Sequence, residues 1–228
     1  MSVDKLINNM KEVDIEKLPR KKTYEWFNKF SNPTYGIDVM IDVSEIVKRA
    51  KEKKESFFIL MLFVVIKGLN SVPEMRMRFV NNKPVIFEDI NPAITVIRED
   101  ETFENVRFEN KNNLAEFYEI AHEKIEEAKY KKELDSDYNI ENCYNEYYIT
   151  CLPWINFTSL SHPIPDDKSS LTVPRICWGK YSLNNGKYEI LSSLFDNVLI
   201  SPAWVFPKKE YTSTGLSLPV TFTFSTNP

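Results

Sequence analysis

The sequence is short of the features that announce a secreted scaffold, a metal site or a membrane span. Three cysteines, Cys143, Cys151 and Cys177, are odd in number and form no CxxC pair, which fits reduced thiols in a cytosol better than a disulfide frame. No set of four well-spaced zinc ligands is present, so no metal is expected. Histidine is scarcer still: His122 and His162 are the only two in 228 residues, and neither adjoins another histidine or precedes an Asp-Gly. The longest apolar stretch, Phe57 to Ile66, is about half of the ~20 residues that a membrane-spanning helix needs. No positively charged start leads into an apolar segment after Met1. A soluble, cytoplasmic chain without a permanently bound cofactor is therefore expected. With 29 basic residues against 33 acidic ones, interspersed, the net charge is -4 and no basic face for a phosphate backbone stands out. Nucleic acid and membrane are excluded as expected partners.

The 43% hydrophobic content suits one domain with a substantial core. Pro19 to Phe30 reads as a helix with Tyr24, Phe27 and Phe30 on one side, and Tyr35 to Asp42 alternates Ile37, Val39 and Ile41 as a strand. Ser44 is expected to cap a helix running to Lys53. Phe57 to Leu69, apolar nearly all round, predicts a buried core helix. Strands over Arg76–Val80, Pro84–Phe87 and Ile94–Ile97 suggest a meander, with turns at Asn81-Asn82 and Asn91-Pro92. Asn113 to about Leu134 reads as an amphipathic helix carrying His122. Further strands are expected at Tyr147–Leu152, Ile155–Ser159 and Arg175–Leu183, the last entering a hairpin at Asn184-Asn185-Gly186.

Five segments in order then carry a resemblance: Arg20-Lys21-Lys22-Thr23-Tyr24-Glu25-Trp26-Phe27, Pro73-Glu74-Met75-Arg76-Met77-Arg78, Glu101-Thr102-Phe103, Pro153-Trp154-Ile155-Asn156-Phe157-Thr158-Ser159 and Gly179-Lys180-Tyr181. Each is weak alone, but in register over roughly residues 10 to 190 they resemble the chloramphenicol acetyltransferase family. The resemblance implies an α/β two-layer sandwich, a mixed and largely antiparallel sheet with helices packed on one face. It also implies a homotrimer with active sites between subunits. In that family acetyl-CoA, a co-substrate, gives its acetyl group directly to a hydroxyl of a small molecule such as chloramphenicol.

That chemistry needs a base for the hydroxyl proton and a donor for the oxyanion of the tetrahedral intermediate. The resemblance puts Ser159 in the donor's position, and Trp26, Phe27, Tyr35 and Phe103 in the antibiotic pocket, with Phe27 where a tyrosine can offer a hydroxyl. Lys180 and Tyr181 fall on the CoA side, and Cys177 falls where a threonine often holds ordered water. Ser56 and Phe58 replace a common Lys and Tyr near the CoA channel. For any one of the aromatics, core packing is the competing reading.

The family's base lies on a late strand that ends in two consecutive histidines, three residues and Asp-Gly, before a last helix. Leu218 to Phe224 resembles that strand, but Ser225-Thr226-Asn227-Pro228 follows it, so the base histidine is absent from this sequence and impaired catalysis is expected. Leu191 to Ser217 has no recognised counterpart. Residues 1–190 accordingly read as the acetyltransferase-like domain, and 191–228 as a divergent or truncated segment packing on it. An insertion, a truncation and a shifted frame all remain open, as do a non-catalytic binding relative and the remnant of a damaged gene. His162, three residues after Ser159, would point to the opposite face if the strand continued, and is expected in a loop. Arg20 matches an arginine that pairs with the missing Asp, which predicts either exposure or a new acidic neighbour.

Overall fold

A computed structural model describes residues 9–81, 83–130, 144–163 and 170–197, together with the backbone of 211–212 and 221–222. Among the described residues, three sheets, one of them a two-stranded pair, and four α-helices are present. The strands β1 (Met10–Glu12), β4 (Lys83–Phe87) and β3 (Met77–Val80) form a small antiparallel sheet in that order. The main sheet runs β2 (Thr34–Asp42), β10 (Lys187–Asn197), β8 (Arg175–Trp178), β7 (Glu146–Cys151), β5 (Asn91–Ile97) and β6 (Phe103–Arg107), with β9 (Ser182–Asn184) paired to β10. Among the described residues only β5 with β7 and β7 with β8 are parallel. The mixed, mostly antiparallel α/β architecture inferred from the resemblance is thus present.

The expected meander splits in two. β3 and β4 close a hairpin, but β5 leaves it for the centre of the main sheet. Residues Pro92 to Ile94 of β5 are consecutively buried, as a strand covered on both faces requires. Arg78, fully buried, ties the small sheet to β7 by donating to the carbonyls of Met75, Met77, Tyr144 and Glu146.

The helices are α1 (Lys21–Phe27), α2 (Ser44–Lys53), α3 (Phe57–Asn70) and α4 (Leu114–Tyr130). α3 buries eight consecutive residues, Ile59 to Ile66. Each large one contributes about 1.5–3 kcal/mol relative to exposure, so this helix anchors the core. The cap expected of Ser44 lies elsewhere: Val43 holds that position without a side-chain bond, and Asp42 Oδ1 accepts from Ser44 N at 3.0 Å. Ser44 Oγ instead accepts from Tyr188 N at 2.9 Å, joining α2 to β10. Asn113 Oδ1 opens α4 by accepting from Ala115 N and Glu116 N. The expected extension of α4 to Leu134 falls outside the described residues.

Two strand expectations change. Ile155 to Ser159 forms no strand; Ile155 N bonds back to Leu152 O at 3.1 Å, a turn that Pro153, lacking an N–H, begins. Arg175 to Leu183 breaks after Trp178, because Lys180 N turns to Ile155 O at 3.1 Å, and the chain resumes as β9. The hairpin after β9 is present, with Asn185 and Gly186 at φ 49° and 82°. β10 then runs unbroken past residue 190, so residues 191–197 belong to the main sheet, paired with β2 along their whole length. Beyond Asn197, β11 (Tyr211–Thr212) pairs with β12 (Thr221–Phe222). β12 falls within the expected strand Leu218–Phe224, and the other expectations for 198–228 lie outside the described residues.

Candidate functional site

Because β5, β7 and β8 run parallel, their carboxyl ends emerge side by side, the place where α/β sheets bind ligands. A groove of about 960 Å³ opens there. Thr95 to Ile97, Cys151 with Pro153 and Trp154, and Gly179 to Tyr181 line it from the three strand ends. Lys54 to Ile59, the turn into α3, and Tyr118, His122, Ile125, Glu126 and Lys129 of α4 form the opposite wall.

Local bonds hold this wall in place. Lys54 takes the left-handed conformation that ends α2, at φ 55°. Arg49 clamps Glu55 through two bonds at 2.7 and 3.2 Å. Ser56 caps α3 by accepting from Ile59 N at 3.5 Å, while its own N donates to the Tyr118 hydroxyl at 2.7 Å. Within the groove Glu55 is thus taken by Arg49, and Glu126 by Lys129 at 2.6 Å. Lys54 and Lys180 remain without an acidic partner among the described residues, next to the positive end of α3. The groove therefore offers cations and helix N–H groups beside an apolar floor of Phe57, Phe58, Trp154 and Tyr181. Such a lining suits a phosphate-bearing molecule with an apolar arm.

Gly179 fixes how the loop after β7 meets this groove. A Cβ there would stand 2.7 Å from Ile155 O and 3.0 Å from the Phe157 ring, so only glycine lets the loop lie against the strand end. Leu152 N to Trp178 O at 2.9 Å completes the seam. Lys180 and Tyr181 project beyond it, the Tyr181 ring held by Phe57 at 4.7 Å and Tyr188 at 5.7 Å. Both thus stand in the groove, as do Ser56, Phe58 and Trp154.

The helices cover one face of the main sheet, where Ile94, Val96, Tyr147, Ile149, Ile176 and Trp178 join the core. On the other face, register places Asp38, Ser193, Cys177 and Thr150 in one row, and the Thr150 and Thr95 hydroxyls lie 3.4 Å apart. Ser193 donates to Asp38. Cys177 is fully buried in this row and does not line the groove; burial pushes its thiol up to about 11. Cys151 does line the groove, and burial, with Cys177 adding to it, pushes that thiol up to about 12. Ser159 is exposed on the loop and is not among the groove residues. Thr95 lines the groove, and the Thr150 hydroxyl lies next to that of Thr95. Thr150 was legible as a strand residue just ahead of Pro153-Trp154, on the face opposite Ile149.

The four aromatics expected on the antibiotic side do not converge in this structure. Trp26 is exposed and, with Phe27 and Phe30, forms a patch at the end of α1 (Trp26–Phe30 6.3 Å, Phe27–Phe30 5.4 Å). Tyr35 packs against the core on β2, and Phe103 is exposed on β6. These are opposite edge strands, five spacings or roughly 24 Å apart at about 4.8 Å each. Arg20 has acquired an acidic neighbour, Glu74, at 3.7 Å with both side chains largely buried.

Of the two histidines, His122 is exposed in the groove, its ring parallel to Tyr118 at 6.3 Å. His162 is on the loop, as expected, but turned back onto the sheet, edge-on to Phe195 at 5.1 Å. Burial, then the nearby Arg175 guanidinium, pushes its imidazole down to about 4, so it is neutral at neutral pH. Phe195 in turn lies over Gly36, where a Cβ would meet the ring at 2.8 Å.

The chain is similar to chloramphenicol acetyltransferases from Bacillus pumilus, 27% identical over 179 residues (78% of this chain, 79% of that one), and from Escherichia coli, 26% identical over 186 residues (81% and 83%). A solved chloramphenicol acetyltransferase superposes with a TM-score of 0.79 at 22% identity, covering 86% of this chain and 93% of that one. The dihydrolipoamide acetyltransferase of Azotobacter vinelandii shares the fold more distantly, with a TM-score of 0.56 at 19% identity over 78% of this chain and 77% of that one. The family model for chloramphenicol acetyltransferase matches residues 8–194, through the groove and all of β10 but its last three residues, and the chain belongs to that family.

Proposed function

We propose that the chain transfers the acetyl group of acetyl-CoA to a hydroxyl of a small molecule such as chloramphenicol, inside the cell, with slower turnover than a chain bearing the family's paired histidines. The groove carries this reading: its strand-end position, the cations Lys54 and Lys180 beside the start of α3, and the apolar floor match a nucleotide-linked thioester in charge and shape. Lys180 and the α3 N-terminus would face CoA phosphates, and Trp154, Phe58 and Tyr181 the pantetheine arm. Cys177, buried in the sheet, would support the acceptor side rather than touch CoA.

For the oxyanion donor, Thr150 is the better candidate than Ser159, because its hydroxyl stands beside Thr95 at the groove. The acceptor pocket requires a second copy of the chain: Tyr35 and Phe103 sit on opposite edge strands, and a homotrimer would bring one copy's edge to the next. The slower turnover proposed rests on His122 and His162, neither of which belongs to a histidine pair. Calorimetry with CoA tests the reading. Saturable binding that Lys180→Ala and Tyr181→Ala weaken is expected, and no binding by the wild-type chain would overturn it. Binding without any acetyl transfer would instead favour a non-catalytic relative.

A further inference from the structure

The wall that α4 gives to the groove is a single helical stripe. Tyr118, His122, Ile125, Glu126 and Lys129 follow one another at three- and four-residue steps, the spacing that stacks side chains on one face of a helix. Glu126 is held by Lys129, and Ile125 packs against the core. The remaining two are rings, 6.3 Å apart between centroids and within 16° of parallel. Tyr118 is half-buried against the core, and its hydroxyl accepts from Ser56 N at 2.7 Å, which fixes it beside the start of α3. His122, one turn further along α4, is exposed in the groove and backed by the Tyr118 ring. Together they make a flat, anchored ledge.

The place of this ledge selects the part of a ligand that it meets. Phosphates are favoured at the start of α3, where the helix N-terminus and the cations Lys54 and Lys180 lie. His122 is displaced from there by one turn of α4, about 6 Å, the scale of the ribose that separates a nucleotide's phosphate from its base. A purine brings no charge for the two lysines to hold. It binds through its face, and an imidazole face accepts it without reading its edges.

We infer that His122 is the base-recognition residue of the groove, its ring stacking on the adenine of CoA with Tyr118 behind it. The inference rests on the acetyl-CoA reading above and names a contact at the nucleotide end of that molecule, remote from the thioester. No bond forms or breaks at His122, so its role is to set affinity for the acetyl donor.

Calorimetry on the full chain, with thermal melting as a check of folding, tests the inference. His122→Ala should raise the Kd for CoA roughly 5- to 10-fold, the lower part of the range for loss of one base–aromatic stack. His122→Phe, which keeps a flat ring, should restore most of the affinity. Binding of 4′-phosphopantetheine, which carries the arm without the base, should change little in either variant. The wild-type chain gives a check that needs no substitution: with only two histidines in the sequence, imidazole signals are readily assigned, and bound CoA should show nuclear Overhauser contacts between the carbon-bound protons of adenine and those of His122. Equal CoA affinity in wild type and His122→Ala, a comparable loss for 4′-phosphopantetheine, no rescue by phenylalanine, or no such contacts in bound CoA would overturn the inference and leave the acyl-transfer reading standing. Absence of CoA binding by the wild-type chain would overturn the acyl-transfer reading itself.

Discussion

Gly179 and Thr150 show how much single positions decide at this site. A methyl at Gly179 meets the Ile155 carbonyl at 2.7 Å, a backbone atom that cannot rotate away. Gly179→Ala should therefore push the Pro153 loop off the strand end, lowering both the melting temperature and CoA affinity. If Thr150 meets the oxyanion, Thr150→Val should cut kcat by roughly 10²–10³ while Ser159→Ala leaves it unchanged; the reverse order would return the role to Ser159. His162 also ties stability to pH. Its pKa falls on folding, so the folded state binds the proton less well than the unfolded one, and the stability it contributes is present above about pH 6.5 and lost toward pH 4. Thermal melts from pH 7 to 4 should show a drop in wild type that is smaller in His162→Gln. Lys180 and Tyr181, which line the groove and are proposed for the CoA side, are legible in the sequence because they follow directly from Gly179. The donor is not: a motif's register fixes order along the chain, whereas the face that a hydroxyl reaches depends on where the strand stops.

Among the elements, α3 was the most legible, since a run apolar on all sides has no stable place but the core. Its start matters to function as well, because Ser56 both caps it and meets Tyr118 of α4 across the groove. The cap bond is long, at 3.5 Å, so Ser56→Ala should cost about 0.5–1 kcal/mol, the lower half of the usual range, as read from denaturant unfolding. The loop after β7 was misread as a strand because Ile155, Phe157 and Ser159 carry the right alternation. Proline at 153 and the bonds from Ile155 N and Lys180 N override it, and a local pattern does not record them. The extent of β10 is hidden in the sequence for a related reason. Its second half is Ser192, Ser193, Asp196 and Asn197 among apolar residues, a mixed pattern that only its neighbours β2 and β8 explain, and the buried Ser193 finds its partner on β2.

For the whole molecule, the two-layer arrangement follows from one sheet whose faces differ. One face is closed by α3 and α4, and the other carries Asp38, Ser193, Cys177, Thr150 and Thr95. A polar sheet face with exposed Phe103 at one edge suits contact with another copy. Sedimentation equilibrium of the purified chain should give a trimer, and a monomer at all concentrations would remove the shared acceptor pocket. Whether a molecule with this groove and no paired histidine still moves an acetyl group separates an enzyme from a non-catalytic relative. The most direct measurement is product formation from acetyl-CoA and chloramphenicol by the purified full chain against a protein-free control. Slow, protein-dependent formation of acetylchloramphenicol that saturates with acetyl-CoA, and whose acetyl-CoA KM rises in Lys180→Ala, is predicted. Product no faster than in the control at saturating acetyl-CoA would contradict it.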